Sequence, residues 1–379
     1  MNNASSIATI ENNCIAKKTK DRYNSSNFNF IMWLYENKAT YEGFLRPEVM
    51  VELDRVMNDT GIPGKKKKTK ARKVVVEGWL AQMVRKTRDD GVNQCPVDMS
   101  KITYEVVGTY MAQRKDGRDK YLGKGTYCGI RSGIINLFTM SNLSPPPRFR
   151  EQVSVLLKGF RRTITEQKVA AGECLEEGKE VMSFSCYKLL CEKFMKGERD
   201  EYNFAHLFLT LEWNLMARAD SIINLSLNDL QWSDDALLVF LRRTKTDQEG
   251  SNGKKPYHLY ANPIDPCLSI VLSLGVYLLS NPGILMNSPG ARLFPAEFQY
   301  NRYSQILGKI ISDNREEFER IGVKVGSIGT HSARKGAATL AASGCTVSPS
   351  MAAICNRAQW KMGGQGISNA FCLNKAYAL

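Results

Sequence analysis

Several side chains able to handle phosphate chemistry stand at defined distances along this sequence. His331 and Arg334 lie three residues apart, so a helix would place them on one face. Arg218 lies 113 residues before His331, Lys245 precedes a Gly- and Asn-rich loop, and Trp360 follows His331 by 29 residues. Arginine binds two phosphate oxygens with its planar fork, and histidine moves protons near neutral pH. Together they could hold a phosphodiester and stabilise the charge that develops when it is cleaved.

Each of these residues also has an ordinary structural interpretation. The histidine–arginine pair could cap a helix or lie on its surface. Arg218, flanked by apolar residues, could form a salt bridge with Asp220 or Asp229. Lys245 could be a solvated loop lysine, and Trp360 could be a core residue. No single residue is specific, but their order and spacing favour a phosphate-binding site.

Positive charge is concentrated in the first 165 residues. The net charge is +14, and residues 1–165 hold 29 Lys and Arg against 16 Asp and Glu. The rest of the chain holds 23 basic and 22 acidic residues. Basic side chains that contact DNA phosphates release counterions, so DNA is the expected partner. A solvated basic surface without a specific partner is the alternative.

Composition argues against several other classes of protein. Hydrophobic residues make up 43% and charged residues 24% of the 379 residues, as in soluble globular proteins. No run of 18 apolar residues predicts a transmembrane helix, and we expect no secretory signal. Ten cysteines without a CxxC pair and three histidines argue against zinc fingers and a disulfide framework. We therefore expect free thiols and no metal.

The hydrophobic patterns predict two domains with a linker. Residues 1–26 are polar and predict a flexible arm. Residues 27–166 predict a basic helical domain, 167–181 a linker, and 182–379 a mixed α+β domain. The predicted fold class is therefore mainly α with a small antiparallel β-sheet.

Periodicity and turn residues place the individual elements. In the first domain the predicted helices cover residues 28–35, 73–85, 104–113, 127–139 and 149–166. In the second domain the predicted helices cover residues 184–192, 204–221, 264–279 and 303–318, with a last helix capped by Thr330 or Ser332 and ended at Gly344. The predicted strands are 236–242 and 257–260, joined by the hairpin loop that follows Lys245.

Basic side chains of the first domain are the predicted contacts to DNA. The run at 64–73 is a phosphate-contacting segment, a nuclear-import signal or an exposed loop. It would direct the protein to the nucleus if the source is eukaryotic; otherwise we expect a cytoplasmic protein. The predicted DNA-binding residues are Lys65, Lys66, Lys67, Lys68, Arg131, Lys158, Arg161 and Arg162.

The ordered set of Arg, hairpin Lys, His-x-x-Arg and Trp resembles the active-site pattern of tyrosine recombinases. The string from His331 to Ala338 is similar to the family motif. The sequence pattern is similar to that of eukaryotic mobile-element recombinases of the Crypton type. The resemblance spans both domains. It implies a helical core-binding domain followed by a catalytic domain.

The resemblance also implies a role for each matched residue. Arg218 and Arg334 would clamp the scissile phosphate, and Lys245 would protonate the leaving 5′ oxygen. His331 would act as acid or base, and Trp360 would donate to a phosphate oxygen. A tyrosine would form a 3′-phosphotyrosyl bond, with no metal, cofactor or ATP. The implied partner is double-stranded DNA, on which four protomers would assemble; no membrane is implied.

The nucleophile departs from the family pattern. The tyrosine usually follows the Trp position by about nine residues, where this chain has Asn369. Phe371 lies nearest that slot and lacks a hydroxyl, while Tyr377 comes 17 residues after Trp360. The segment from Gln365 could follow a wrong reading frame, the element could be decayed or domesticated, or Tyr377 could be the nucleophile. The family continues with a further helix, so assembly of four protomers is in doubt.

Three functions follow from this pattern. The first is a recombinase or integrase of a mobile element that cuts and rejoins DNA. The second is a catalytically dead DNA-binding protein of the same fold. The third is a type IB topoisomerase-like enzyme, against which the short chain and the recombinase-like motif argue.

Overall fold

The computed structural model describes residues 15–59, 61, 64–89, 95–173, 178–242, 255–288, 290–344 and 348–360. The described chain is mainly α-helical and holds one small antiparallel sheet, which confirms the predicted fold class. It divides into two compact units, residues 1–176 (unit one) and 177–379 (unit two). Among the described helices, none is both long and apolar enough to span a bilayer.

In the described part of unit one, six α-helices pack around an aromatic core. They are α1 Lys17–Glu36, α2 Pro47–Asn58, α3 Lys65–Asp89, α4 Tyr104–Gln113, α5 Lys124–Met140 and α6 Phe149–Ala170. Phe30, Trp33 and Tyr110 meet with ring centroids 5.1–6.1 Å apart. Such edge-on and offset contacts are the favoured geometry of aromatic pairs.

The first helix begins earlier than the sequence predicts. Residues 17–26 were predicted within a flexible arm, but they form the first half of α1. Arg22 Nη2 donates to Gly125 O at 2.9 Å, and Asn27 is fully buried against α5. A Cβ at Gly133 would lie 2.7 Å from Asn27 Oδ1, so this glycine permits the close crossing. Packing therefore orders a segment whose own composition is polar.

The basic run is helical rather than a loop. Residues 65–73 form the start of α3, directly after Gly64. Lysine and arginine have high helix propensity, and no proline interrupts residues 65–89. The last helix of unit one, α6, continues to Ala170, four residues beyond the predicted end at 166. Residues 167–170 of the predicted linker are therefore helical.

Unit two surrounds the central buried helix α8. Its helices are α7 Phe184–Lys196, α8 Asp200–Leu215, α9 Ala219–Ile223, α10 Ile270–Ser280, α11 Gly283–Met286, α12 Gln299–Asp313, α13 Arg315–Arg320, α14 Ser332–Ser343 and α15 Met351–Arg357. Twelve residues of α8 are buried, and it contacts α7, α10, α12 and α14. The nearly continuous apolar sequence of α8 favours a helix that is buried on all sides.

Two predicted helices of unit two have different bounds. The helix predicted from residue 264 begins at Ile270, because Pro266 starts a short 3₁₀ turn and Ser269 then caps the helix. The helix predicted over 303–318 is two helices that meet at Asn314.

The sheet has the order β1-β2-β3, formed by β1 Leu230–Ser233, β2 Ala236–Val239 and β3 Tyr257–Tyr260. Both pairs are antiparallel, with Leu230 opposite Val239 and Val239 opposite Tyr257. The third strand has its predicted bounds, whereas the second ends three residues before the predicted 242. Strand β1 was not predicted, because three of its four residues are exposed and give no apolar alternation.

Candidate functional site

An interruption between two helices sets the position of Arg218. The sequence predicted one helix over 204–221, but α8 ends at Leu215 and α9 begins at Ala219. Met216 takes a left-handed conformation with φ 48°, and Arg218 is the N-cap residue of α9 in an extended conformation. Few non-glycine residues adopt positive φ, so the break is held by its surroundings. Arg218 therefore lies at a turn and not within an apolar helix.

His331 and Arg334 lie at the start of α14. His331 is the N-cap residue and is exposed, whereas Arg334 is 6% exposed. The predicted caps Thr330 and Ser332 have other partners. Thr330 Oγ1 donates to the Tyr300 hydroxyl at 2.6 Å, and Ser332 Oγ accepts from Gly329 N at 3.0 Å. The helix ends at Ser343 before Gly344, as predicted.

Small residues let α14 approach the core closely. A Cβ at Gly336 would overlap the carbonyl oxygen of Met182 and lie 2.8 Å from the Trp213 ring. Trp213 belongs to α8 and stacks on Tyr187 at a centroid distance of 4.1 Å. This contact fixes the register of α14 and hence the position of Arg334, two residues earlier on the helix.

The cationic residues of the site influence one another. Burial, followed by the positive charge of Arg218, lowers the pKa of Arg334 to about 10. Burial also lowers the pKa of Arg218, while Asp220 opposes that effect. Loss of hydration and then the charge of Arg334 lower the pKa of His331, which favours the neutral imidazole at neutral pH. These shifts show that the elements bring Arg218, His331 and Arg334 together as one electrostatic group.

One guanidinium nitrogen of these two arginines has no hydrogen-bond partner among the described residues. Arg334 Nη2 donates to Ala358 O, and its guanidinium lies 5.4 Å from the Trp360 ring centroid. Arg218 Nη1 is buried and has no hydrogen-bond partner within the described part of the chain. Of its two predicted salt-bridge partners, Asp229 instead pairs with Arg242. A buried donor without a partner is costly, and an anion in the pocket would satisfy it.

Trp360 is brought to the site by contacts of the residues that precede it. Arg357 Nε and Nη2 donate to Asn214 O at 3.0 and 2.7 Å, which fastens α15 to the end of α8. Gln359 Nε2 donates to the Tyr257 hydroxyl at 3.0 Å, which fastens the following segment to β3. The sequence did not single out Arg357, although an arginine three residues before Trp360 was visible.

Glu212 is a further site residue that the sequence reasoning missed. Its side chain is fully buried on α8, and neither carboxyl oxygen has a hydrogen-bond partner among the described residues. Burial raises the pKa of Glu212 well above its usual value, although Arg334 acts in the opposite direction. A lone carboxyl in the apolar run from Phe204 to Leu215 was the available signal.

The remaining predicted site residues lie elsewhere or outside the described residues. Lys245 falls in 243–254, between β2 and β3, and Phe371, Asn369 and Tyr377 fall in 361–379; both segments lie outside the described residues. The predicted DNA-binding side chains are all in unit one. Arg131 on α5 and Lys68 on α3 are half-buried, and the others are exposed: Lys65, Lys66 and Lys67 on α3, and Lys158, Arg161 and Arg162 on α6. Within the described ranges, no cluster of His, Cys, Asp and Glu could hold a metal ion.

Comparison with known proteins finds similarity among solved structures. No family model matches the sequence, and no curated protein matches it. The XerH site-specific recombinase, solved bound to palindromic difH substrate, is 12% identical with a TM-score of 0.45; the match covers 90% of this chain and 91% of that chain. The Tn1549 transposon integrase, solved with transposon right end DNA, is 15% identical with a TM-score of 0.46 over 87% and 95% of the two chains. Both TM-scores lie below 0.5, so these similarities carry no argument about function. The function of this chain is therefore argued from its own residues.

Proposed function

We propose that this chain is a tyrosine recombinase that binds a DNA phosphodiester in the pocket of unit two and cuts and rejoins the strand. The observation that carries the proposal is the pair of Arg334, which is buried, and Arg218, whose Nη1 is buried and has no hydrogen-bond partner among the described residues. In a desolvated site, each positive charge destabilises the charged form of the other arginine. A phosphate anion between the two guanidinium groups removes that repulsion.

The geometry suits phosphoryl transfer better than simple anion storage. His331, exposed at the start of α14, is favoured in its neutral form, so it can accept a proton. Trp360, beside Arg334, carries an indole N–H that can donate to a phosphate oxygen. Positioning plus charge stabilisation is most of what phosphoryl transfer requires from a protein.

The proposed reaction uses the side chains of this chain alone. The phenolic oxygen of Tyr377 attacks phosphorus and loses its proton to His331, which forms a 3′-phosphotyrosyl bond. The bond from phosphorus to the 5′ oxygen breaks, and Lys245 gives that oxygen a proton. Attack by a 5′ hydroxyl reverses these transfers and rejoins a strand, so no oxidant, reductant or nucleotide triphosphate is consumed.

Covalent capture on nicked DNA tests this proposal. A library of duplexes with randomised sequence, nicked near every position, traps the phosphotyrosyl adduct because the short leaving strand diffuses away. We expect a protein–DNA adduct on denaturing gels for the native chain and its loss for Tyr377→Phe and Arg334→Lys. Arg320→Lys is the matched control, since Arg320 lies on the separate helix α13.

The alternative functions are distinguished by the same experiment. DNA binding that depends on Arg218 and Arg334 without any adduct would contradict cleavage and favour a DNA-binding protein of the same fold. Relaxation of supercoiled plasmid without site preference would instead favour the topoisomerase-like function. An adduct that survives Tyr377→Phe would contradict the proposed nucleophile.

Origin and assembly are finer proposals on the same basis. A mobile element of the Crypton type, four protomers on two duplexes, and nuclear import through residues 65–73 stay predictions. Mass measurement of the protein with its captured DNA tests the assembly, and four protomers per two duplexes are expected. A complex with one protomer would contradict it.

A further inference from the structure

A second polar pocket lies within unit one. It encloses about 470 Å³ and is lined by residues of α1, α5 and α6, together with Ile15. Arg131, Ser132, Ile135, Asn136 and Thr139 of α5 contribute, at helical positions that share a face. This volume falls in the range of pockets that hold a small organic ligand.

The polar side chains of this pocket divide into two groups. The hydroxyls of Ser132, Thr139 and Ser154 are already used, because each donates to a carbonyl oxygen of its own helix at 2.7–3.1 Å. In contrast, the side chains of Tyr23, Arg131, Asn136 and Arg150 make no hydrogen bond or ion pair within the described part of the chain. These four polar groups are therefore available to a ligand.

The charge of the lining selects an anion. Arg131 and Arg150 line the pocket, and no carboxylate is among its lining residues. Other arginines of unit one behave differently: Arg148 Nε lies 3.7 Å from Glu151, and Arg161 Nη2 donates to Cys128 Sγ. Two guanidinium groups that line one pocket and have no partner among the described residues suit phosphate oxygens.

The remaining lining suits the base that is attached to a phosphate. Tyr23 offers an aromatic ring on which a base can stack, and Asn136 offers an amide that can both donate to and accept from a base edge. Ile135 and Ile15 add apolar surface. The pocket thus combines phosphate, stacking and base-edge chemistry in one place.

We propose that this pocket binds one nucleotide of the DNA target, with its phosphate on Arg131 and Arg150 and its base against Tyr23 and Asn136. The proposal rests on DNA being the substrate of the protein. Taking a nucleotide out of the stack costs least where that nucleotide is unpaired. The pocket would therefore favour targets that carry a weakly paired nucleotide.

The test compares full-length variants by equilibrium binding to a random duplex and to the same duplex with one unpaired nucleotide. We expect Arg131→Gln with Arg150→Gln to reduce the slope of log affinity against log salt by about 1.8, since each lost phosphate contact removes about 0.9. Arg148→Gln is the matched control and should leave the slope nearly unchanged, because that arginine lies beside Glu151.

Tyr23→Leu and Asn136→Ala separate base recognition from phosphate binding. We expect both to weaken binding of the unpaired duplex about tenfold without changing the salt slope, as loss of stacking or of a base-edge contact should. Normal binding by both variants would overturn the nucleotide proposal, and a double arginine variant that behaves like Arg148→Gln would overturn the pocket itself. Tight binding of free deoxynucleoside monophosphates, with no effect of these changes on DNA, would also overturn it.

Binding is read independently of cleavage, so the two proposals fail separately. If the pocket variants still form the covalent adduct with native affinity, only the pocket proposal fails. If no adduct forms but the pocket variants lose DNA affinity as expected, only the cleavage proposal fails.

Discussion

Glu212 and Arg334 are both buried in unit two, and among the described residues no ion pair joins them, which is an unusual use of two ionisable side chains. Burial favours the protonated form of Glu212, and a neutral carboxyl does not cancel the charge of Arg334. The full positive charge of Arg334 is then available to a phosphate. At the scale of single residues, the site is prepared for an anion by keeping the carboxyl of Glu212 neutral beside Arg334.

The raised pKa of Glu212 gives a pH-dependent stability. A group whose pKa is raised by folding stabilises the protein fully below its unfolded value of 4.5 and loses that contribution as pH rises toward the folded value. We expect Glu212→Gln, which cannot ionise, to lose this part of the pH dependence. Its free energy of unfolding relative to the native chain should rise steadily from pH 5 to pH 8 in urea titrations.

A substitution at Glu198 provides the control for that measurement. Glu198 is exposed, so Glu198→Gln measures the effect of the same substitution at a solvated position. A Glu212→Gln curve with the same pH dependence as the Glu198→Gln curve would contradict the prediction for Glu212.

At the scale of elements, two features that carry no long-range sequence signal position the site. The left-handed Met216 ends α8, and Gly336 brings α14 against Met182 and Trp213. Periodicity predicted that helices lie on both sides of Arg218, because apolar residues continue through it. It could not predict the break, because a methionine with positive φ is fixed by packing and not by its own preference.

Gly336 and Gly308, two of the helical glycines of unit two, predict opposite effects of the same substitution. Gly336→Ala places a methyl group on the Met182 carbonyl, and we expect it to destabilise the fold by about 1–3 kcal/mol. Gly308→Ala, in α12, meets no atom within 4 Å and should stabilise by about 0.5–1 kcal/mol, because glycine weakens a helix interior. Denaturant unfolding measures both, and equal effects would contradict the close contact at Gly336.

At the scale of the whole molecule, charge and chemistry are divided between the two units. Residues 1–165 carry +13 of the net charge of +14, while the arginine pocket belongs to unit two. Charge counting predicted this division, and motif spacing predicted which of the described residues gather in the pocket. Glu212, Arg357 and Gln359 escaped prediction, because their contribution depends on burial and on contacts between distant segments.

The basic start of α3 should supply affinity without selecting a sequence. Lys66 and Lys67 are exposed, and we expect Lys66→Gln with Lys67→Gln to lower the salt slope of duplex binding by about 1.8 for all DNA sequences. Lys309→Gln with Lys324→Gln removes two exposed charges of unit two and is the control. An equal loss in both double variants, measured by fluorescence anisotropy, would show that net charge alone sets the affinity.

The turn between α8 and α9 also provides a signal that reports phosphate binding in the native protein. The carbonyl oxygen of Arg218 accepts hydrogen bonds from the amides of Ser221 and Ile222, at 2.8 and 3.2 Å. Short segments of this kind open more readily than a buried helix, and solvent deuterium enters when they open. A phosphate held by the Arg218 side chain opposes that opening. The rate of hydrogen–deuterium exchange at the amides of Ser221 and Ile222 should therefore fall when phosphate binds to Arg218. This rate can be measured in the native protein without any substitution.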